Sequence, residues 1–262
     1  MKPIKVVVYG ALGRMGREVV SAVSRESEMQ LVGAVDIQGS GDSLALPDSS
    51  RTVPFSSNLD SILSASHPDV LVDFTIRKAA MPAVRTATAR GVHLVIGTTG
   101  FTADELDEID KLAQAHHVGA IVAPNFALGA VLMIHLAKIA ARYFDYAEII
   151  ELHHHLKADA PSGTSLSTAK AMVNARGKPF SQPAGQQSDS RGGNSEGITI
   201  HSVRLPGLLA HQEVLLGAPG QTLSIRHDTI NRECFMPGVI LAIKEVVKRT
   251  GLVYGLDKIL GL

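Results

Sequence analysis

Short apolar segments alternate with helical patterns through the first half of the chain, and this alternation limits the fold more than any other feature. The segments that predict strands are residues 4–9, 31–35, 70–74, 92–96 and 118–122. The helical patterns between them cover residues 14–25, 59–64, 79–90 and 103–116. Apolar strands separated by helices are typical of a parallel sheet with helices on both faces. The first half is therefore predicted to be a doubly wound α/β domain.

The pattern changes near Pro124 and Asn125. A long apolar helix over 127–144 and a strand over 147–152 are predicted next, and residues 178–197, rich in Ser, Gln, Gly and Pro, predict a mobile loop. Further strands are predicted at 198–203, 212–216 and 222–227, before a final helix over 237–249. These strands indicate a mixed or antiparallel sheet, and so a second domain of the α+β class.

Charge and cysteine content narrow the classes of partner. The 262 residues carry 25 basic and 25 acidic side chains with no long basic stripe, which argues against a nucleic-acid partner. No uninterrupted apolar stretch approaches the roughly 20 residues that span a bilayer, so no membrane partner is expected. Cys234 is the only cysteine, which excludes an intrachain disulfide and fits the reducing cytoplasm.

Three glycines, Gly10, Gly13 and Gly16, follow the first predicted strand and open the first predicted helix. Glycines in this context permit a tight turn, a close approach to a pyrophosphate and helix–strand packing. Asp36 ends the second predicted strand, where an acidic side chain binds the ribose hydroxyls of NAD. The combination predicts a Rossmann-type dinucleotide domain; the alternative is a structural glycine turn with a surface aspartate.

The same region bears on cofactor choice. Asp36 would repel a 2′-phosphate and Ile37 offers no positive charge to bind one, so NADH is favoured. Arg14, Arg77 and Lys78 are the cations that would allow NADPH instead, unless they are ordinary surface residues.

Two further loops follow predicted strands at the edge where open α/β sheets bind ligands. They are Gly97-Thr98-Thr99-Gly100 and Ala123-Pro124-Asn125-Phe126. Their hydroxyl and amide groups suit the nicotinamide carboxamide and ribose, although each loop can equally be read as a simple turn.

A basic segment ends the strand predicted in the second domain. His153, His154 and His155 are followed by Lys157 and then by Ser162-Gly163-Thr164, which opens an Ala-rich helical stretch. A helix start presents free N–H groups that hold carboxylates, and hydroxyls at Ser162 and Thr164 add donors. Histidine titrates near neutral pH and suits proton transfer. We interpret the segment as an acid–base group beside a site for an acidic substrate.

Strand alternation would place His153 and His155 on one face and His154 on the other, so the three histidines are expected to differ in role. One alternative is a metal site of His153 and His155, with or without Asp159, but Lys157 adds a competing charge and no metal is expected. Another is that the histidines are structural.

The chain resembles the 4-hydroxy-tetrahydrodipicolinate reductase family, also called dihydrodipicolinate reductases. The motifs that carry the resemblance are GALGRMG at 10–16, GTTGF at 97–101, PNF at 124–126 and, above all, HHHLKADAPSGT at 153–164. It continues through SVRLPG at 202–207, HQE at 211–213 and FMPG at 235–238, and so covers nearly the whole chain.

The resemblance implies NAD(P)H-dependent reduction of a small dicarboxylate in the diaminopimelate route to lysine. His153 falls on the family's proton donor/acceptor position and Lys157 on its proton-donor position. The implied substrate-dicarboxylate positions are His154, Gly163 and Thr164. The implied dinucleotide positions are Gly10, Ala11, Leu12, Gly13, Arg14, Met15, Asp36, Gly97, Thr98, Thr99, Ala123, Pro124, Asn125 and Phe126.

The resemblance also implies a homotetramer formed through the substrate-domain sheets and a C-terminal helix that returns to the cofactor domain. We therefore expect a dinucleotide domain of residues 1–125 and 233–262 and a substrate and oligomerisation domain of 126–232. Some members carry Arg after the acidic residue, where this chain has Ile37. Competing functions are a related reductase of another small acid and a non-enzymatic dinucleotide sensor, which would bind NADH without consuming it.

Overall fold

The computed structural model describes residues 2–47, 51–182 and 189–262. The chain divides into two compact units, Met1–Ala127 with Phe235–Leu262, and Leu128–Cys234. Each unit has its own sheet.

The elements are numbered in chain order. The strands are β1 (Ile4–Tyr9), β2 (Met29–Val35), β3 (Ser43–Ala45), β4 (Thr52–Ser56), β5 (Val70–Asp73), β6 (His93–Ile96), β7 (Gly119–Val122), β8 (Tyr146–His153), β9 (Gly193–Ser195), β10 (Ile198–Arg204), β11 (Ala210–Ala218), β12 (Gln221–Thr229) and β13 (Gly251–Tyr254). The α-helices are α1 (Arg14–Arg25), α2 (Leu59–Ser66), α3 (Arg77–Thr88), α4 (Ala103–Ala115), α5 (Leu128–Ala140), α6 (Gly163–Arg176), α7 (Met236–Val246) and α8 (Leu256–Leu260).

The first unit contains a doubly wound sheet, as predicted. Its strand order is β13-β7-β6-β5-β1-β2-β4-β3, and every neighbouring pair is parallel except β3 with β4. The chain moves from β1 to β2 on one side and later to β5 on the other, so the order reverses at β1. Ligands of such sheets bind outside the carboxyl ends of the strands at this reversal. The glycine loop follows β1, so it lies at this position.

The helix of the glycine loop and the capped helix of this unit have the predicted starts. α1 spans Arg14–Arg25, the predicted range. α4 begins with the predicted capping box, in which the Glu105 N–H donates to Thr102 Oγ1 at 3.2 Å and Thr102 N–H to Glu105 Oε2 at 2.7 Å. The sequence patterns did not predict β3, β4 or β13, which are short.

The second unit contains a mixed sheet in the order β12-β11-β8-β10-β9, in which only β10 and β8 are parallel. One face is covered by α5 and α6, whose buried Ala137 and Met172 pack with Ile149, Ile200 and Val214 of the strands. This arrangement places the carboxyl end of β8 beside the segment that leads into α6.

Two predicted boundaries in this unit are wrong or partly outside the described residues. The apolar helix ends at Ala140 rather than at 144, because the chain tightens there and Tyr143 N–H donates to the Ala140 carbonyl at 2.9 Å. Within the predicted loop 178–197, residues 183–188 lie outside the described part, and 193–195 form β9.

The described part of the chain contains no helix that is both long and apolar enough to cross a membrane.

Candidate active site

The glycine loop brings backbone groups close together at the carboxyl end of β1. Gly10 adopts a φ of 82°, and its N–H donates to the Val35 carbonyl at 2.8 Å. A Cβ at Gly16 would overlap the Gly10 carbonyl oxygen, so only glycine lets α1 pack this closely. The N-cap Gly13 has no side chain to satisfy the first N–H groups of α1. The N–H groups of Arg14, Met15 and Gly16 therefore remain available to an anion, whereas that of Arg17 donates to the Gly13 carbonyl at 3.1 Å.

Asp36 lies next to this loop and is only 7% exposed. Its Oδ2 accepts the Leu12 N–H at 2.9 Å, and its Oδ1 accepts the Gln38 N–H at 2.9 Å. The aspartate is therefore not a surface residue, and its carboxylate is fixed against the loop. Ile37 is 79% exposed beside it.

The cations considered for NADPH have different surroundings. Arg14 is exposed, as is Lys78. Arg77 Nη1 donates to the Gly100 carbonyl at 3.1 Å, and its Nε lies 3.6 Å from Glu105 Oε1. Arg77 is thus held toward the 97–100 loop.

The 97–100 loop follows β6 and lies against the end of β5. A Cβ at Gly97 would overlap the Phe74 ring, which explains the glycine. Thr98 is buried, with its Oγ1 3.4 Å from Asp73 Oδ1, whereas Thr99 is exposed.

Asp73 is a buried carboxyl group that the sequence analysis did not single out. Its Oδ1 accepts the N–H and the hydroxyl of Thr75 at 2.7 and 2.6 Å, whereas its buried Oδ2 has no hydrogen-bond partner within the described protein. Burial raises the pKa of Asp73 to about 6, and the hydrogen bonds from Thr75 oppose this shift.

The 123–126 loop follows β7. Ala123 and Phe126 are buried, Pro124 is exposed, and Asn125 Oδ1 accepts the Ala127 N–H at 2.9 Å. The Phe126 ring lies 5.7 Å, centroid to centroid, from that of Phe74. Gly97 and Phe126 both contact Phe74, so the 97–100 loop and the 123–126 loop lie beside each other at the Phe74–Phe126 pair.

In the second unit, His153 is held by a buried carboxylate. Glu151, two residues earlier on β8 and fully buried, accepts a hydrogen bond at Oε2 from His153 Nδ1. Arg204 of β10 binds both oxygens of the same carboxylate at 2.8 Å. The register of the parallel pair brings this about, since Arg204 lies opposite His153.

The electrostatics of this group follow from the same contacts. Burial would raise the pKa of Glu151, but hydrogen bonds, of which that from Arg204 is the largest, outweigh burial and lower it. Burial lowers the pKa of His153, and the hydrogen bond and charge of Glu151 partly reverse that effect. Glu151 is therefore ionised and its partner nitrogen Nδ1 carries the hydrogen, which leaves Nε2 of His153 for chemistry.

β8 ends at His153, so the predicted alternation of faces through His155 is wrong. His154 is half-buried, and its carbonyl accepts the Lys157 N–H at 3.1 Å in a turn. His155 is exposed. The Lys157 ammonium lies 2.7 and 2.8 Å from the two oxygens of Asp159.

At the start of α6, Ser162 has a different environment from Gly163 and Thr164, the two residues that follow it. Ser162 is the N-cap residue and is 2% exposed; its Oγ accepts the Ser165 N–H at 3.2 Å, and its N–H donates to Glu151 Oε1 at 3.2 Å. The N–H groups of Gly163 and Thr164 have no hydrogen-bond acceptor within the described residues. A Cβ at Gly163 would meet nothing within 4 Å, so this end is open.

The predicted site residues thus form two groups, one in each unit. Over residues 2–47, 51–182 and 189–262, no cluster of three or more His, Cys, Asp or Glu is placed to hold a metal ion. Sequence reasoning missed Glu151, Arg204 and Asp73. Residues two apart along a strand share a face, so the rule that related His153 to His155 also places Glu151 on the face of His153. Arg204 required the register of β10 against β8.

Comparison with known proteins gives one consistent family. The model for the N-terminus of dihydrodipicolinate reductase matches residues 4–126, and that for its C-terminus matches residues 129–260. A 4-hydroxy-tetrahydrodipicolinate reductase from Dehalococcoides mccartyi is 58% identical over 100% of both chains. One from Moorella thermoacetica is 48% identical over 98% of both.

Comparison with solved structures indicates the same family. The dipicolinate-bound dihydrodipicolinate reductase from Paenisporosarcina sp. TG-14 superposes with a TM-score of 0.88 at 42% identity, covering 98% of this chain and 99% of that one. An amine dehydrogenase from Mycobacterium smegmatis reaches a TM-score of 0.66 at 19% identity, over 97% and 95% of the two chains, which shows a shared fold only.

Proposed function

The chain belongs to the dihydrodipicolinate reductase family, and on that premise we propose how its own residues carry out the family's reaction. The protein is an NAD(P)H-dependent oxidoreductase that reduces 4-hydroxy-tetrahydrodipicolinate to tetrahydrodipicolinate in the diaminopimelate route to lysine. The observation that carries the residue roles is an imidazole fixed by a buried carboxylate in the same unit as an open helix start.

The dinucleotide is assigned to the first unit. The uncapped start of α1, the close Gly10–Gly16 contact and the fixed carboxylate of Asp36 fit a pyrophosphate and a ribose. The 97–99 and 123–126 loops are assigned to the nicotinamide end. When bound, NAD(P)H supplies the hydride.

His153 is assigned the proton transfer. Its Nδ1 is occupied by Glu151, so the proton leaves from Nε2. The lowered pKa of His153 makes its imidazolium a stronger acid than an exposed histidine, which favours release of the proton to the electron-rich product.

The remaining roles in the second unit are substrate-carboxylate binding and the second proton-donor position. The N–H groups of Gly163 and Thr164 serve one carboxylate, and His154 adds a donor. Lys157 takes the family's second proton-donor position, with its ammonium oriented by Asp159. Ser162 supports this group indirectly, because its hydroxyl caps α6 and its surface is buried.

NADH is proposed as the favoured cofactor over NADPH. Asp36 is buried and acidic and Ile37 is apolar, so neither provides a cation for a 2′-phosphate, and Arg77 donates to the Gly100 carbonyl instead. We also propose that the protein works as a homotetramer in the cytoplasm. The partly exposed positions that alternate with the buried ones along β8 and β11 support the homotetramer. The lone cysteine supports the cytoplasmic location.

The assignment is tested by following absorbance at 340 nm after the enzymatically generated substrate is added with NADH or NADPH. Oxidation of at least one cofactor is expected, with inhibition by pyridine-2,6-dicarboxylate, the ligand named for the Paenisporosarcina enzyme. The Dehalococcoides relative, run in parallel, shows that substrate was present. Turnover by the relative without turnover by this protein would contradict the assignment.

The role of His153 can be tested against a histidine two residues away in the chain. Since a positioned acid–base group contributes about 10²–10⁴-fold, His153→Ala is expected to lower kcat by that factor. His155→Ala serves as the control because His155 is exposed and outside the proposed contacts. Equal kcat values for the two variants would refute the acid role of His153.

A further inference from the structure

We propose that Glu151 is a positioning residue for the reaction assigned above: it fixes the tautomer and orientation of His153 and ties that group to the start of α6. The inference rests on the proposed role of His153. Glu151 itself is fully buried, so it acts through its neighbours rather than on substrate.

Each oxygen of this carboxylate accepts hydrogen bonds from more than one group, and the Ser202 side chain adds a further one. Oε2 accepts from His153 Nδ1 and from Arg204 Nη1, and Oε1 accepts from Arg204 Nη2 and from the Ser162 N–H. Arg204 Nη2 also donates to the Asp159 carbonyl at 2.7 Å. A buried carboxylate without such partners would take up a proton, so Arg204 keeps Glu151 charged.

The charge of Glu151 matters because the other charged groups near His153 are cations. Arg204 from β10 and Lys157 from the following turn both lower the pKa of His153, after burial. Asp159 is paired with Lys157 and is largely exposed. Glu151 is the one acidic group among these neighbours that contacts the imidazole. Without its charge, less His153 would be protonated at neutral pH.

Glu151 also connects the acid to the carboxylate site. Its Oε1 accepts the N–H of Ser162, the N-cap residue of α6. The N–H groups of the next two residues, Gly163 and Thr164, are the proposed donors to substrate. A single carboxylate thus determines both where the proton-bearing nitrogen points and where the helix starts.

Glu151→Gln tests the proposal. The amide keeps the shape but loses the charge. With its oxygen held by Arg204 Nη2 and the Ser162 N–H, its N–H₂ faces His153 Nδ1, which reverses the tautomer. We expect kcat to fall by up to about 10⁴-fold, as when an imidazole loses its orienting carboxylate and takes the wrong tautomer, with a smaller change in KM. The alkaline limb of the kcat/KM profile should move to lower pH. Imidazole ¹⁵N spectra, assigned with His153→Gln, should show hydrogen on Nδ1 in the wild type and on Nε2 in the variant.

The chain supplies a matched control on the same strand. Glu148 pairs with a histidine, His201, at 2.7 Å and with Arg191, as Glu151 does with His153 and Arg204. Glu148→Gln should leave both the alkaline limb and the His153 tautomer unchanged. If Glu151→Gln does not fold because Arg204 is left unpaired, Glu151→Gln with Arg204→Gln removes both charges and is measured instead.

An unchanged limb and tautomer in the Glu151 variant, or a loss confined to KM, would overturn the proposal. The tautomer measurement needs no substrate, and so a wild type that lacks turnover would refute the proposed function while leaving this inference separately testable.

Discussion

Asp36 and Ile37 adjoin in sequence but have opposite surroundings. Asp36 is fixed by the N–H groups of Leu12 and Gln38, whereas the side chain of Ile37 projects into solvent. The carboxylate is thus committed to the loop, and the neighbouring position is free to carry a charge. This division makes position 37 the simplest place to alter cofactor choice.

Ile37→Arg is expected to raise the kcat/KM ratio of NADPH to NADH about 10- to 100-fold, because hydrogen bonds to a charged group contribute about 1.5–3 kcal/mol. Initial rates with each cofactor measure the ratio. Ile230→Arg, at an 86% exposed isoleucine of the other unit, controls for added charge. An equal rise in both variants, or none at position 37, would rule out a local effect.

The raised pKa of Asp73 predicts how the free energy of unfolding depends on pH. Its pKa is raised from 3.8 to about 6 in the folded protein, so the folded state binds the proton more tightly than the unfolded state. The contribution to the free energy of unfolding is present below about pH 4 and is lost as pH rises through about 6, a loss of up to about 3 kcal/mol.

Asp73→Asn cannot ionise, so its free energy of unfolding relative to the wild type should rise between pH 4.5 and 7. Urea unfolding at several pH values measures the difference. Asp60→Asn makes the same substitution at an exposed carboxylate and should show no such rise. A flat difference for Asp73→Asn would mean that Asp73 ionises normally.

At the scale of elements, α1 and β8 show what the sequence could and could not predict. The bounds of α1 and the capping box of α4 were predicted correctly because both depend on residues a few positions apart. β13 was missed because this short strand pairs with β7, which is distant from it in sequence. In the site, His153 could be predicted from the chain. Arg204, which binds the carboxylate that holds His153, is 51 positions from that histidine and is brought opposite it by strand register.

Gly16 is where an element depends most on the absence of a side chain. In Gly16→Ala the Cβ would overlap the Gly10 carbonyl, and backbone cannot move away as a flexible side chain can. We expect a loss of about 1–3 kcal/mol of stability from overpacking and weaker NADH binding. Thermal unfolding and a fluorescence titration measure the two. Gly217→Ala, whose nearest neighbour would be Tyr146 Cβ at 3.8 Å, should change neither.

At the scale of the molecule, the second sheet is asymmetric. Ile149 and Val214 face α5 and α6 and are fully buried, whereas Ile150, Leu152 and Leu215 alternate with the buried positions and stay partly exposed. Glu148, His201 and Glu213 share this face, so it combines partly exposed apolar side chains with charged ones. Exposed apolar side chains grouped on one face are typical of an association surface. This face supports the homotetramer proposed above, formed through the sheets of the second unit.

Leu215→Arg tests this surface directly. Residue 215 lies opposite Glu148 in the antiparallel pair, so the new charge meets an acidic neighbour within its own sheet while charging the apolar face. Sedimentation at micromolar concentration should give four chains of 27.7 kDa for the wild type and a smaller species for the variant. Ile76→Arg, at a 67% exposed isoleucine of the first unit, should stay tetrameric. A monomeric wild type would exclude the homotetramer, and a tetrameric Leu215 variant would place its interface on another surface.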